Sequence, residues 1–424
     1  MKEVLIVGGG ASGILVATQI ARHAKSPMVA RIADPAPILG RGIAYGTNDD
    51  AHLLNVPAGR MSALPSDPTH FRLWAGCDDG EFISRKRYGQ YLLETFLQSQ
   101  KDQSHVSFTH DRSRIERIER AGEGFEVTSE SGPLGKFDAV VLATGHGLSQ
   151  DPIRDQTILA AERYVNDPWR DTLPKLDGTL VSIGTGLTFI DLALTHLRRD
   201  PKNLVIGISR TGELPQAHLP VRAAPLPVPD QAWKSPTYLR EYIDGSTDWR
   251  AAQDGIRHVM PEIWSSWSED QKRDFWTGHL RWWNVHRHRM SPRIKEELKS
   301  LMDSGRLRIQ QAGDYRLEIK QDSIAVSSQS GKTATADVIV NSTGYLSFET
   351  TPLFSVLESS GLVQRGPLGM GIRTNFPSHE VLDAKGRPSP GLFAIGPILV
   401  GERFETTAIP EIREQAESVA LSLK

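Results

Sequence analysis

Short apolar runs alternate with helix-length apolar periodicities along this chain, and their order predicts an α/β architecture. Glu3–Val7 is an apolar run ending at Gly8, Ile14–His23 is a helical stretch, and Met28–Ala33 is a second strand-like run. Strand, tight turn, helix and strand are expected in that order. The segment Gly40-Arg41-Gly42-Ile43-Ala44-Tyr45-Gly46 is too rich in glycine for a helix and too polar for a buried strand, so it reads as a loop. Helices are expected near Pro68–Trp74 and Lys86–Phe96, the second marked by Leu92, Leu93, Phe96 and Leu97 on one face.

A longer repeat then appears. Val106–Thr109, Ile115 with Ile118, Phe125–Ser129, Ser131-Gly132 and Asp138–Gly145 (DAVVLATG) recur in order and at similar spacing. The second copies are Leu307–Gln310, Leu317 with Ile319, Ile324–Ser328, Ser330-Gly331 and Asp337–Gly344 (DVIVNSTG). Each set predicts a strand, a small antiparallel meander, and a buried strand ending in Thr-Gly. Two similar halves are implied.

Between the copies, Leu180–Ile183 predicts a strand, Gly184-Thr185-Gly186 a turn, Leu187–Leu197 a helix and Leu204–Ile208 another strand. Pro220, Pro225, Pro227 and Pro229 can continue neither a helix nor a central strand, so they mark a linker. Seven of the nine tryptophans follow, from Trp233 to Trp283, and Trp249, Ala252, Ile256, Val259, Ile263 and Trp267 recur at helical intervals. A helical insertion with an aromatic core is expected at about 230–305. The chain returns through Gly391–Pro397 and ends in a helix from about Thr407 to Leu423. The expected fold is α/β, with two nested Rossmann-like dinucleotide-binding domains. The outer one spans 1–150 and 330–424, and the inner one 151–329.

Composition removes several function classes. At 424 residues the chain suits two or three domains, and its formal charge of -2, with Lys and Arg spread among the acids, provides no groove for nucleic acid. Cys77 is the only cysteine, which excludes an intrachain disulfide, a Cys-rich zinc site and a Cys-x-x-C redox pair. His286 and His288 would point to different sides of a helix, and no cysteine lies near them or His279, so no metal site is expected. No apolar stretch is long enough to cross a bilayer, and a cytoplasmic location is expected.

Gly8, Gly10 and Gly13 stand in G-x-G-x-x-G spacing between the first strand and helix, with Ser12 inside the motif. Such glycines permit the turn, the approach of a pyrophosphate and close helix packing, with the phosphates on the helix N-terminus. Asp34 follows at the offset where an acid meets a ribose hydroxyl. In the second unit Gly184 and Gly186 fit, but Phe189 takes the third glycine position. Ser209-Arg210 ends the next strand, where a cation meets a 2′-phosphate, so NADPH is favoured, with NADH the alternative.

A first dinucleotide unit interrupted by a second is the layout of flavoproteins carrying FAD outside and NAD(P)H inside. Gly40–Gly46, Leu53–Phe71 (LLNVPAGRMSALPSDPTHF), Arg85–Leu92 (RKRYGQYL), Ile183–Asp191 (IGTGLTFID), Asn284–Pro292 (NVHRHRMSP) and Gly396–Ala416 (GPILVGERFETTAIPEIREQA) sharpen that likeness. On these segments the chain resembles the FAD/NAD(P)-binding family that includes flavin-dependent urate hydroxylase and flavin-dependent aspartate N-monooxygenase. The ornithine and lysine N-hydroxylases are more distant relatives.

The resemblance implies that Arg41 and Gly42 complete the phosphate cradle, that Asn55 lies near the flavin, and that Thr144-Gly145 packs against the dinucleotide. Gly396 would approach the ribityl chain, although Pro397 stands where many flavoproteins have aspartate. Thr406 and Thr407 would cap the last helix and aim it at the flavin. No general base stands out, and the flavin chemistry that the resemblance implies needs none: a C4a-hydroperoxide would deliver oxygen to a nitrogen or an electron-rich ring. Arg60, His218 and Arg287 are candidates to hold a small polar nitrogenous substrate, and for the last two a structural role in the helical domain competes. Dioxygen would be the co-substrate. A flavin oxidoreductase passing electrons to a separate acceptor, and a nucleotide-binding redox sensor, remain the rival readings.

Overall fold

Two parallel sheets, built in the same way, organise the chain. The structure is a computed structural model describing all residues except 103–104, 148–150, 171–176, 221–222, 313–314, 321–322, 329–332, 345–350 and 424. In the first unit β1 (Lys2–Val7), β2 (Met28–Ala33) and β3 (Val106–Asp111) are followed by the antiparallel meander β4 (Ile115–Ala121), β5 (Gly124–Ser129) and β6 (Gly132–Phe137). The strand β7 (Ala139–Leu142) then returns to pair with β1 on the side opposite β2. Val4, Leu5 and Ile6 are fully buried, as expected of a parallel strand covered on both faces.

The second unit repeats the plan. It contains β8 (Tyr164–Val165), β9 (Thr179–Ile183), β10 (Leu204–Ser209) and β11 (Leu307–Gln311), then the meander β12 (Tyr315–Ile319), β13 (Ile324–Ser328) and β14 (Thr333–Ala336), and finally β15 (Val338–Asn341). Its strand order is β11-β10-β9-β15-β8, all parallel. The chain then rejoins the first sheet through β16 (Thr374–Asn375), β17 (Glu380–Leu382) and β18 (Pro388–Ala394), giving β16-β17-β18-β7-β1-β2-β3. The fold is therefore two nested Rossmann-like units with a helical insertion. Because β15 pairs with β9, the inner sheet extends past residue 330 to Asn341. The expected Ser330-Gly331 turn lies outside the described residues.

The repeat holds at atomic detail. Asp138 accepts the Glu3 N–H at 2.7 Å, and Asp337 accepts the Thr179 N–H at 2.7 Å. Gly8 donates to the Ala33 carbonyl at 2.9 Å, and Gly184 to the Ile208 carbonyl at 2.8 Å. Each sheet is covered by helices on one face and its meander on the other. For the first sheet the helices are Ala11–His23, Arg85–Lys101 and Ile409–Ser422; for the second they include Leu187–Arg199 and Pro292–Asp303.

The insertion consists of helices that start on side-chain caps. Ser235 caps Pro236–Gly245, Asp248 caps Trp249–Ser266, Ser268 forms a capping box with Gln271, and Ser291 caps Pro292–Asp303. Its core gathers Ala252, Ile256, Ile263 and Trp267 from the face that the helical spacing predicts, together with Trp264, Phe275 and Trp283. It is not self-contained. Phe404, from the outer unit, stacks on Trp264 with ring centroids 5.0 Å apart, and Trp264 Nε1 donates to the Gly401 carbonyl at 2.8 Å.

Candidate dinucleotide sites

At the end of β1, Gly8 has φ +101°, and a Cβ there would stand 2.5 Å from the Ala143 carbonyl oxygen. Gly13 lies so close beneath the turn that a Cβ would come within 1.8 Å of the Gly8 carbonyl oxygen. Neither position admits a side chain. Gly10 precedes the helix Ala11–His23, whose N-terminus has no side-chain cap, so its first N–H groups and positive dipole end face the turn. The glycine-rich loop folds against this turn. Gly40 donates to the Gly9 carbonyl at 2.8 Å, a Cβ on Gly10 would lie 3.3 Å from the Gly42 Cα, and Arg41 heads the helical turn Gly42–Tyr45. Asp34 accepts the Gly9 N–H at 2.6 Å. From the opposite side Gly396 approaches until a Cβ would meet Ser12 Oγ at 2.7 Å.

One further atom points to a ligand. Thr144 Oγ1 is buried and has no hydrogen-bond partner among the described residues, whereas its counterpart Thr343 donates to Asn341 Oδ1 at 2.7 Å. Leu142 occupies the place of Asn341 in the first unit. A buried hydroxyl without a partner costs roughly 1–3 kcal/mol. Together with the uncapped helix and the glycine cradle it fits a ligand rich in phosphate and hydroxyl groups, as FAD is.

Thr406 and Thr407 do not cap the last helix. Pro410 sits in its first turn, the helix Ile409–Ser422 begins after Ala408, and Ala408 supplies no side-chain cap. Thr406 instead is fully buried, donates to the Gly396 carbonyl at 3.0 Å and accepts from Gln415 Nε2 at 2.9 Å. Gln415 Oε1 in turn accepts the Gly396 N–H at 2.8 Å, so Thr406 and Gln415 clamp the late glycine against the first turn. Thr407 is exposed.

In the second unit Gly184 repeats the geometry of Gly8, with φ +101° and a Cβ that would stand 2.5 Å from the Ser342 carbonyl oxygen. A Cβ on Gly186 would meet nothing within 4 Å, and the helix Leu187–Arg199 that follows is also uncapped. Phe189 is fully buried. Its ring lies over Gly207 of β10, where a Cβ would be 2.8 Å from Phe189 Cζ. The third glycine's room has moved from the helix to the strand, so the Phe189 departure leaves the turn intact. Ser209 Oγ accepts from Thr185 Oγ1 at 2.9 Å and from the Gly212 N–H at 3.1 Å, while Arg210 is exposed beside them.

Arg281 is the residue that local sequence patterns miss. From the insertion helix Leu280–Arg287, its Nη2 donates to the Glu213 carbonyl at 2.6 Å and to Thr185 Oγ1 at 3.2 Å. Nothing in the spacing of the sequence links residue 281 to a turn almost a hundred positions earlier.

The two units meet through family-like segments. Arg85 pairs with Asp191 at 3.3 Å, and burial pushes the Asp191 carboxyl up against the pull of Arg85. His52 donates through Nε2 to the Asp191 carbonyl and Thr195 Oγ1, at 3.1 and 2.8 Å. His218 Nε2 donates to the Asn55 carbonyl at 3.0 Å, and Arg60 lies in the helical turn Ala58–Arg60 just beyond.

Arg287 is turned away from any substrate role. It is buried and grips Glu405 with Nε at 3.1 Å and Nη2 at 2.9 Å. Burial opposes the Glu405 carboxylate, yet Arg287 and Arg257 hold its pKa down to about 2. The pair is a clamp between the insertion and the outer unit. A groove of about 910 Å³ opens among Lys2, Arg120, Asp138, Asp383 and Arg387, where strands of the first sheet begin, whereas ligands of such sheets sit at the strand ends.

Residues 5–147 match the family described as FAD-NAD(P)-binding. No curated protein matches the sequence significantly. Among solved structures, the ornithine N-hydroxylase of Kutzneria sp. 744, solved with reduced FAD, NADP+ and L-ornithine, shares 14% identity at a TM-score of 0.62, over 100% of this chain and 99% of that one. L-lysine 6-monooxygenase from Pseudomonas syringae shares 16% at 0.62, over 100% and 99%. Thioredoxin reductase from Lactococcus lactis shares 12% at 0.55, over 100% and 98%. No helix among the described residues is long and apolar enough to cross a membrane. Residues 5–147 thus form a FAD-NAD(P)-binding domain, and the whole chain has the fold of flavoproteins built from two dinucleotide-binding units.

Proposed function

We propose that the chain is a FAD-dependent monooxygenase that uses NADPH and dioxygen to hydroxylate a small, polar, nitrogen-bearing compound in the cytoplasm. What carries this reading is the full-length likeness to amino-acid N-hydroxylases in a chain whose single cysteine rules out the dithiol chemistry of a disulfide reductase. Bound flavin, reduced by NADPH, supplies the two electrons with which one oxygen atom enters the substrate and the other leaves as water.

The chain's own residues bind, orient and enclose. Gly8, Gly10, Gly13 and the first helix receive the FAD pyrophosphate, Asp34 the ribose, and Arg41 and Gly42 close the cradle. The Thr144 hydroxyl gains the partner it lacks, and Thr406 with Gln415 keeps Gly396 against the cofactor. Gly184, Gly186, Ser209 and Arg210 receive NADPH. The contact between His218 and Asn55 fixes the two units in register, so that hydride donor and acceptor meet. Arg60, on the same loop as Asn55, is the remaining candidate to hold the substrate.

The test is stoichiometry. The purified protein is expected to be yellow, and an added amine or purine to raise NADPH oxidation with one hydroxylated product per NADPH. If no compound of these classes alters NADPH consumption while an artificial acceptor is reduced, the electron-transfer reading replaces this one. Colourless protein that takes up no FAD ends both.

A further inference from the structure

Two arginines converge on the loop after β10. Arg210 ends the strand, and Arg281 reaches in from the insertion, its Nε 3.4 Å from Thr211 Oγ1 and its Nη2 2.6 Å from the Glu213 carbonyl. Among the described residues neither guanidinium has a carboxylate oxygen within 4.0 Å. Arg281 meets only the main chain of Glu213, whose side chain is exposed. Elsewhere in the insertion the buried arginines are matched: Arg257 with Glu411, Arg287 with Glu405 and Arg289 with Asp254. Burial draws the Arg281 pKa down, Glu213 counters it, and Arg210 adds to it. Arg281 touches Thr211, the residue next to Arg210, so both cations belong to one loop at the strand end beside a glycine turn, a setting suited to a multiply charged anion.

We propose that Arg281 binds the 2′-phosphate of NADP(H) together with Arg210, so that the helical insertion takes part in choosing NADPH over NADH. This rests on the reading of the second unit as the NADPH site. It adds a residue from the helical insertion. The Nη2 bond to Thr185 joins the same guanidinium to the glycine turn, so one side chain touches both the turn and the loop that flanks the ribose. Lysine could supply the charge but not the fork.

The experiment measures equilibrium binding to the FAD-loaded protein by calorimetry, with NADP+, NAD+ and the fragment 2′,5′-ADP as probes. In wild type NADP+ is expected to bind more tightly than NAD+. In Arg281→Gln, NADP+ and 2′,5′-ADP should weaken roughly tenfold to a hundredfold, with NAD+ unchanged. Arg281→Lys should lose part of the preference and serves as the deciding variant if Arg281→Gln does not fold. Equal weakening of NADP+ and NAD+ in either variant, or an unchanged ratio, overturns the assignment while leaving NADPH use intact. A wild-type protein that binds neither dinucleotide removes the NADPH reading itself, and this inference with it.

Discussion

The Nε2–H of His218 donates to the main-chain oxygen of Asn55 across 3.0 Å, a hydrogen bond between the inner and outer units. The acceptor is a carbonyl, so the bond also fixes the tautomer of His218. The ring leans on Phe82, with centroids 5.2 Å apart, and the His218 N–H is held by the Met290 carbonyl at 2.9 Å. His218→Ala is expected to leave FAD content unchanged and to slow flavin reduction by NADPH roughly tenfold or more, because small misalignments of reacting partners are costly. Anaerobic stopped-flow absorbance reads the rate, and an unaltered rate would remove His218 from the alignment of the units.

Phe189 and Gly207 make a second prediction. Gly207→Val would drive a side chain into the Phe189 ring and is expected to destabilise the inner unit by about 3 kcal/mol. Phe189→Ala alone should cost about 3–5 kcal/mol by opening a cavity. Combined, the two should cost less than their sum, because the valine fills what the alanine vacates. Urea unfolding of the four proteins measures this, and strict additivity would show that ring and glycine do not compensate.

Thr144→Val should act with opposite sign on the empty and the loaded protein. Removing a buried hydroxyl that lacks a partner stabilises the apoprotein by about 1 kcal/mol or leaves it unchanged, whereas FAD affinity falls roughly tenfold. Thermal melts of apoprotein and titration with FAD separate the two effects. Equal affinity in both proteins would show that Thr144 does not touch the cofactor.

The Glu405–Arg287 clamp predicts both a mutational and a pH effect. Arg287→Met removes the ion pair of the buried Glu405, leaving it the Trp283 Nε1–H and the more distant Arg257, and should cost about 3 kcal/mol. The Glu405 carboxyl takes its proton near the ordinary 4.5 when unfolded but only at about 2 when folded. Its contribution is therefore complete above about pH 4.5 and is lost as pH falls from there toward 2. Melting temperature followed over this window should fall less steeply in Glu405→Gln than in wild type. Parallel curves would place the acid sensitivity elsewhere.

Relations local in sequence were legible before the structure. The turn Gly8–Gly13, its copy at Gly184, and the two meanders each lie within a few dozen residues, where glycine spacing and apolar periodicity are dictated by neighbouring backbone. The helical face from Trp249 to Trp267 was readable for the same reason. Relations between distant segments were not. The sequence resemblance suggests Thr406 as a cap, but its hydroxyl turns back to Gly396, a preference set by Gln415 within the following helix. For Arg287 the sequence allows a structural role but does not name the partner, because Glu405 is 118 positions away. Phe189 looked like a loss at the second turn until Gly207 appeared beneath it.

Phe404 has a consequence for the order in which the protein is made. The aromatic interior between Trp233 and Trp283 borrows this ring from a segment that leaves the ribosome much later, after β18 has supplied a strand to the first sheet. Until then Trp264, Phe275 and Trp283 lack a wall, and the nascent middle of the chain exposes the apolar surface that holding chaperones recognise. Insertion and outer unit should therefore mature as one cooperative block, and protection of their amides against deuterium exchange should rise together when synthesis passes Phe404.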